Sequence, residues 1–126
     1  MRTLLVDDSK TMCGIVRSIL SPLGLNDVEE AEDTAEARAA LDVAAPGLVV
    51  IDGGLDGALD LVREARGRIA DLPIVMISAD PAPVASREAK AAGASVYVVK
   101  PFTPDVLSQR IAEAVDGAGA RSSRAA

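Results

Sequence analysis

Carboxylate, hydroxyl and ammonium side chains follow four of the five apolar segments of this sequence. They are Asp7 and Asp8 after the first segment, Asp52 after the third, Ser78 after the fourth and Lys100 after the fifth. Carboxylates that pack together repel one another, and burying unpaired charge is unfavourable, so three of them in one place require a cation. Oxygen ligands suit Mg²⁺, which usually keeps waters and shares its remaining sites with phosphate oxygens.

A carboxylate nucleophile, a divalent metal, a lysine and a hydroxyl together form a site for phosphoryl transfer. Lys100 supplies a positive charge and Ser78 a donor for phosphoryl oxygens, while Asp52 attacks and forms an acyl phosphate. Each residue alone also has an ordinary structural interpretation, as a helix cap, a turn former or a lysine in solvent. Their joint occurrence at the ends of the segments favours the chemical interpretation.

The segments that position these side chains are typical of strands buried on both faces, because the strong ones are continuously apolar. They cover 3–6, 48–51, 74–77 and 95–99, with a weak one at 27–28. Between them lie amphipathic helices, of which the first has the stripe Met12, Ile15, Val16, Ile19 and Leu20. The fourth stripe, Ala85, Ala89 and Ala92, buries the least surface.

Five repeats of strand and helix predict an α/β fold. Right-handed crossovers give a doubly wound, flavodoxin-like (βα)₅ domain with five parallel strands in the order 2-1-3-4-5. In such a sheet the ligand site lies beyond the carboxyl ends of the strands, where the order switches between the first and third strands. We expect the domain to cover 1–116 and residues 117–126 to form a flexible tail, because they have no core pattern.

The composition excludes several classes of function. The chain of 126 residues has 13 basic and 19 acidic residues and a net charge of −6, so nucleic acid and anionic membranes are not expected partners. It has no histidine and one cysteine, Cys13, which excludes a Cys/His metal site and an internal disulfide. No apolar run reaches the roughly 18 residues that span a bilayer, and no signal peptide precedes residue 3, so we expect a cytoplasmic location.

The segments LLVDDSKTM, LVVID, IVMISA and GASVYVVKPFT resemble the CheY-like receiver domain of two-component response regulators. The resemblance implies that Asp52 is the phospho-acceptor and that Lys100 contacts the phosphoryl group. It also implies that Asp7 and Asp8 hold Mg²⁺ together with the backbone carbonyl of Gly54.

The resemblance further implies a switch. In the family, the hydroxyl at the position of Ser78 moves toward the phosphate and the aromatic ring at the position of Tyr97 turns inward. The face that changes is formed by the fourth helix, the fifth strand and the fifth helix, and it binds a downstream target. The alternative for Tyr97 is a partly buried edge residue whose hydroxyl lies in water.

These implications predict a single-domain, monomeric response regulator, most similar to the chemotaxis branch. It receives its phosphoryl group from a histidine kinase or a phosphotransfer protein, and its catalysis is limited to Mg²⁺-dependent self-phosphorylation and autodephosphorylation. A phosphorylation-independent docking module or phosphate sink stays open, because the segment GGLDGALDL after Asp52 is shorter and richer in glycine than the family pattern. An aspartyl-phosphate phosphatase is a further alternative, although such enzymes usually place the nucleophile after the first strand.

Overall fold

Strand and helix alternate five times in the computed structural model, which describes the backbone of residues 1–125 and the side chains of residues 1–118. The strands are β1 (Thr3–Val6), β2 (Val28–Ala31), β3 (Leu48–Asp52), β4 (Ile74–Ser78) and β5 (Val96–Val99). The helices are α1 (Lys10–Leu20), α2 (Thr34–Val43), α3 (Ala58–Arg68), α4 (Pro83–Ala92) and α5 (Pro104–Ala125), with a 3₁₀ helix at Ser21–Leu23.

All five strands are parallel and form one sheet in the order β2-β1-β3-β4-β5. The predicted fold class is therefore confirmed. Val6 pairs with Ile51 and Asp52 with Ile77, so that β1, β3 and β4 end side by side. This register places the residues that follow these strands at the same edge of the sheet.

Apolar side chains pack against both faces of the sheet. One face contacts α2, α3 and α4 through buried residues that include Leu41, Leu61 and Ala89. The other face contacts α1 and α5, where Val16 and Ile111 are fully buried. Because successive strand residues point to opposite faces, two covered faces require the continuous apolar runs of β1, β3 and β4.

The second strand differs from its prediction. The sequence predicts a weak strand at 27–28, whereas β2 extends from Val28 to Ala31. Glu29 and Glu30 interrupt the apolar pattern because β2 lies at the edge of the sheet, where their carboxylates reach solvent. They form ion pairs with Arg2 at 2.6 Å and Arg17 at 2.5 Å, respectively.

Capping residues and prolines mark the beginnings of three helices. The side chain of Asp33 caps α2 by accepting a hydrogen bond from the Glu36 N–H (2.8 Å), and Pro83 and Pro104 begin α4 and α5. The buried residues of α4 are two alanines, as expected for the helix that buries the least surface. The first helix departs from its predicted stripe, because Ile15 is 40% exposed.

The fifth helix extends through Ala125, beyond the predicted domain boundary at 116, and Ala118 is buried. The side chains of residues 119–126 lie outside the described part of the chain. The boundary at 116 and the flexible tail over 117–126 therefore stay predictions.

Candidate functional site

Three carboxylates meet at the edge where β1 and β3 end. Asp7 and Asp8 follow β1, Asp52 is the last residue of β3, and one oxygen from each lies within 4.8 Å of the others. Asp7 is 6% exposed, and its burial is the main cause that raises its pKa, with a further contribution from the charge of Asp52. The Ser9 N–H, which donates to Asp7 Oδ1 at 2.9 Å, opposes this shift in pKa.

The chemistry of these donors fits a hard divalent cation. The three side chains offer only oxygen, and their negative charges repel one another until a cation neutralises them. The loop after Asp52 brings Gly54 close, because a side chain carbon on Gly54 would lie 3.4 Å from Asp52 Oδ1. Asp7, Asp8 and Asp52 are the residues that would hold Mg²⁺, and the carbonyl of Gly54 as a further ligand stays a prediction.

Lys100 follows β5, which lies on the opposite side of β3 from β1, the strand that leads to Asp7 and Asp8. Its ammonium group is 3.4 Å from Asp52 Oδ1, which also accepts a hydrogen bond of 3.0 Å from the Gly54 N–H. Both donors reach the same oxygen of the Asp52 carboxylate. The peptide bond between Lys100 and Pro101 is cis.

Ser78 ends β4 beside this site. Its hydroxyl is buried and accepts a hydrogen bond of 3.1 Å from the N–H of Asp80, while its carbonyl accepts one of 2.8 Å from the N–H of Lys100. On the other side, the Gly53 N–H donates to the Ile77 carbonyl at 2.7 Å. The ends of β3, β4 and β5 are therefore joined by backbone hydrogen bonds around Asp52.

Tyr97 is buried on β5, and its hydroxyl donates a hydrogen bond of 2.7 Å to the carbonyl oxygen of Asp80. The ring is therefore buried and its hydroxyl bonds to a backbone carbonyl, while the switch role of Tyr97 stays a prediction. The two residues predicted to form the switch, Ser78 and Tyr97, both bond to Asp80. The carboxylate of Asp80 in turn accepts a hydrogen bond from the Ala82 N–H at 2.9 Å.

Asp80 was not identified from the sequence. An aspartate two residues before an alanine and near prolines is typical of a loop that begins a helix, and this signal identifies the turn. The signal does not identify a link between β4 and β5, because Tyr97 is 17 residues away in the chain.

Cys13 is a buried residue of the core next to the site. Its sulfur lies 3.8 Å from the carbonyl oxygen of Asp7, and burial raises the pKa of its thiol to about 11. At neutral pH the thiol is therefore protonated and a poor nucleophile. Cys13 is thus a small residue of the core.

An apolar groove lies between α1 and the segment after β5. It has a volume of about 650 Å³ and is lined by Met12, Ile15, Ser18, Lys100, Pro101, Phe102 and Pro104. The periodicity of the sequence placed Met12 and Ile15 in the apolar stripe of α1, but Met12 is only partly buried and Ile15 is 40% exposed. Lys100 belongs both to this groove and to the site around Asp52.

The chain is similar to known signalling proteins. The family model of the response regulator receiver domain matches residues 3–112. The chain is 41% identical over 116 residues to the chemotaxis protein CheY1 of Helicobacter pylori, covering 88% of this chain and 94% of the relative.

Solved structures give the same result. The chemotaxis response regulator CheY4 of Vibrio cholerae has a TM-score of 0.80 and 29% identity, over 90% of this chain and 97% of that one. NtrX from Brucella abortus has a TM-score of 0.88 and 30% identity over 98% of this chain, which spans 29% of the NtrX chain.

The matched range contains every residue predicted for the site. Within the part of the chain that the structure describes, no helix combines the length and apolar character that crossing a membrane requires. The acidic cluster at the carboxyl edge of the sheet, the strand order and the similarity over residues 3–112 agree with one another. The chain belongs to the family of response regulator receiver domains.

Proposed function

We propose that Asp52 accepts a phosphoryl group from the phosphohistidine of a histidine kinase or phosphotransfer protein, and that the phosphorylated protein signals by binding a target. The observation that carries this proposal is the position of Asp52 between two carboxylates and an ammonium group. Asp7 and Asp8 contribute oxygens within 4.8 Å, and Lys100 lies 3.4 Å away. Similarity to chemotaxis proteins makes motility control the first setting to test.

The transfer is a displacement at phosphorus. Asp52 Oδ2 forms a bond to phosphorus while the bond between phosphorus and the imidazole nitrogen breaks, and the imidazole leaves with the electron pair and takes up a proton. Lys100 attracts the equatorial oxygens of the phosphoryl group, because its ammonium group already faces the carboxylate. Mg²⁺, when held by Asp7, Asp8, Asp52 and the Gly54 carbonyl, neutralises negative charge on the transferred group.

The hydrogen bonds at Asp80 support a switch that begins at Ser78. The added phosphoryl group brings about two negative charges and three acceptor oxygens. The Ser78 hydroxyl is a donor for one of these oxygens, and a movement toward it removes the acceptor of the Asp80 N–H. Because the Asp80 carbonyl holds the Tyr97 hydroxyl, this movement changes the loop that leads into α4.

The face formed by α4, β5 and α5 is the surface that we propose for binding of the target. Each of its three elements exposes one valine, with Val84 50%, Val99 37% and Val106 46% exposed. These residues lie near the carboxyl end of β5 and at the start of the two helices that flank it. Apolar side chains on the elements next to the switch loop support docking of a target at this face.

The apolar groove between α1 and the segment after β5 is suited to the protein that donates the phosphoryl group. A donor seated on Ile15 and Phe102 is next to Lys100, whose ammonium group contacts the acceptor. The exposed apolar surface of Ile15 then becomes buried, which stabilises the encounter. This groove adjoins the face proposed for the target, because Pro104 lines the groove and is the first residue of α5.

Labelling with acetyl phosphate and Mg²⁺ tests the proposal. We expect the wild type to gain one phosphoryl group by intact-protein mass spectrometry and Asp52→Asn to gain none. Asp60→Asn is the matched control, because Asp60 is an exposed carboxylate in the first turn of α3 that pairs with Arg63. It should be labelled like the wild type.

Two results would contradict the proposal. Normal labelling of Asp52→Asn would mean that another carboxylate is the acceptor. A wild type that takes up no phosphoryl group but still binds its partner would favour the phosphorylation-independent docking module. A monomeric state and a cytoplasmic location stay predictions, and size-exclusion chromatography with light scattering tests the first of them.

A further inference from the structure

The loop between β3 and α3 is short and rich in glycine, although it carries the carbonyl group proposed to bind Mg²⁺. It consists of Gly53, Gly54, Leu55, Asp56 and Gly57. Glycine loses more conformational freedom on folding than any other residue, so three glycines in five positions make this loop difficult to order. Contacts from outside the loop must therefore hold its backbone.

The first half of the loop is held by the strands. The Gly53 N–H donates to the carbonyl of Ile77 in β4 at 2.7 Å, and the Gly54 N–H donates to Asp52 Oδ1 at 3.0 Å. The Leu55 N–H donates to the Asp52 carbonyl at 3.3 Å, a longer bond. In the second half, the Leu55 carbonyl accepts from the Ala58 N–H at 3.2 Å and the Gly57 carbonyl from the Leu61 N–H at 2.9 Å, so the Asp56 carbonyl between them needs a different contact.

That contact comes from α2. The hydroxyl of Thr34, the first residue of this helix, donates a hydrogen bond of 3.1 Å to the carbonyl oxygen of Asp56. The ordinary explanation for a threonine at the start of a helix is capping. Here the cap is Asp33, whose carboxylate accepts from the Glu36 N–H at 2.8 Å, so the Thr34 hydroxyl is available to the loop.

Gly57 shows how closely α2 and the loop approach each other. It has a φ of +78°, which side chains other than glycine rarely adopt. A side chain carbon built on it would also lie 3.3 Å from Thr34 Oγ1. The Thr34 side chain therefore meets the loop at two successive residues, Asp56 and Gly57.

The same contact borders the metal site. A groove of about 350 Å³ is lined by Asp8, Glu32, Asp33, Thr34, Ala35, Gly54, Leu55 and Asp56. Two residues proposed to bind Mg²⁺, Asp8 and Gly54, thus share one groove with the pair formed by Thr34 and Asp56. In this groove the Thr34 hydroxyl bonds to the loop that contains Gly54.

We propose that Thr34 is a positioning residue for the Mg²⁺ site. Its hydroxyl holds the Asp56 carbonyl from α2 and so orders the loop that contains Gly54, whose N–H donates to Asp52 Oδ1. The inference rests on the proposed function, because it takes Gly54 as a ligand. The hydrogen bond from Thr34 restrains a loop whose three glycines make it difficult to order.

The test compares Thr34→Val, which removes the hydroxyl and keeps the branched shape, with Thr34→Ser, which keeps the hydroxyl. Mg²⁺ is titrated into each protein while the amide signal of Gly54 is followed by NMR, and amide hydrogen exchange at Leu55 and Ala58 is measured without Mg²⁺. Ser21→Ala is the control, because it also removes a side-chain hydrogen bond, of 2.9 Å to Asn26, but at the opposite edge of the sheet.

For Thr34→Val we expect the dissociation constant of Mg²⁺ to rise about three- to tenfold, the effect of losing one hydrogen bond. Exchange at Leu55 and Ala58 should become faster, while Thr34→Ser and Ser21→Ala behave like the wild type. An unchanged Mg²⁺ affinity of Thr34→Val overturns the inference, and so does an equal loss in Thr34→Ser. A wild type that binds no Mg²⁺ overturns both this inference and the proposed function, whereas one that binds Mg²⁺ but takes up no phosphoryl group contradicts only the latter.

Discussion

The Tyr97 hydroxyl donates a hydrogen bond of 2.7 Å to the carbonyl oxygen of Asp80. This bond connects β5 with the loop between β4 and α4. The N–H of Asp80 in this loop also donates to the Ser78 hydroxyl at 3.1 Å. One residue of a loop thus contacts both side chains that the sequence predicts to take part in the switch.

Replacing Tyr97 by phenylalanine tests this connection. Tyr97→Phe keeps the buried ring but removes the hydrogen bond, so we expect a loss of about 1 kcal/mol in the free energy of unfolding. Amide exchange at Asp80 and Ala82 should become faster. Labelling of Asp52 by acetyl phosphate should be unchanged, because the Tyr97 hydroxyl bonds to the loop and not to the acceptor. Unchanged exchange at both amides would show that the bond does not hold the loop in solution.

Lys100→Ala should separate phosphorylation from switching. The acceptor and its acidic neighbours are intact in this variant, so we expect acetyl phosphate and Mg²⁺ still to label Asp52. The phosphoryl group then has no cation to hold it next to β5, the strand that contains Tyr97. The change in the NMR signals of Tyr97 on phosphorylation should therefore be much smaller than in the wild type. Lys100→Arg, which keeps the charge, is the control, and a full response of Tyr97 in Lys100→Ala would refute the role of the ammonium group.

Asp7→Asn should stabilise the protein when metal is absent. Burial raises the pKa of Asp7 in the folded state above its ordinary value of 3.8, so the folded state binds this proton more tightly than the unfolded state. The stabilisation that the folded state gains by binding this proton is fully present below pH 3.8, and it is lost as the pH rises through the pKa of Asp7 in the folded state. At neutral pH the charged carboxylate is therefore unfavourable, and asparagine removes it while keeping an oxygen for the Ser9 N–H.

Urea unfolding in the presence of a chelator measures this effect. The gain in stability of Asp7→Asn should be clear at neutral pH and should shrink as the pH approaches 3.8. Adding Mg²⁺ should stabilise the wild type more than the variant, because the ion neutralises the charge that the variant lacks. A variant that is less stable than the metal-free wild type at neutral pH would contradict the raised pKa of Asp7 in the folded state.

Thr3→Val should stabilise the protein by about 1 kcal/mol, because it removes a buried polar group without changing the volume of the side chain. Thr3 is fully buried in β1, and within the described residues its hydroxyl oxygen has no hydrogen-bond partner. Thr103→Val provides the opposite control, since the Thr103 hydroxyl accepts a hydrogen bond of 3.2 Å from the Val106 N–H at the start of α5. It should lose about 1 kcal/mol, the usual effect of removing a helix cap. Equal effects of both substitutions on the urea midpoint would contradict the prediction.

The local sequence pattern predicted most of the fold because the apolar runs of the strands differ clearly from the helical period of the amphipathic stretches. Continuous apolar runs and amphipathic stretches alternate, and short parallel connections permit few strand orders. The edge strand β2 was the exception, since Glu29 and Glu30 lie at the edge of the sheet and interrupt the apolar run by which a strand is recognised. Ile15 was the second, because its exposure of 40% depends on how α1 packs against its neighbours, which periodicity does not encode.

The sequence by itself determined the chemical groups of the site. Parallel strands end at one edge of a sheet, so side chains that follow β1, β3 and β5 must converge there, and Asp7, Asp52 and Lys100 do so. Only the tertiary structure decided which backbone groups support them. Thr34 and Tyr97 bond to carbonyls that are 22 and 17 residues away in the chain, and the packing of a helix or strand against a loop brings each pair together. Such contacts depend on distances between elements, which no local spacing of residues contains.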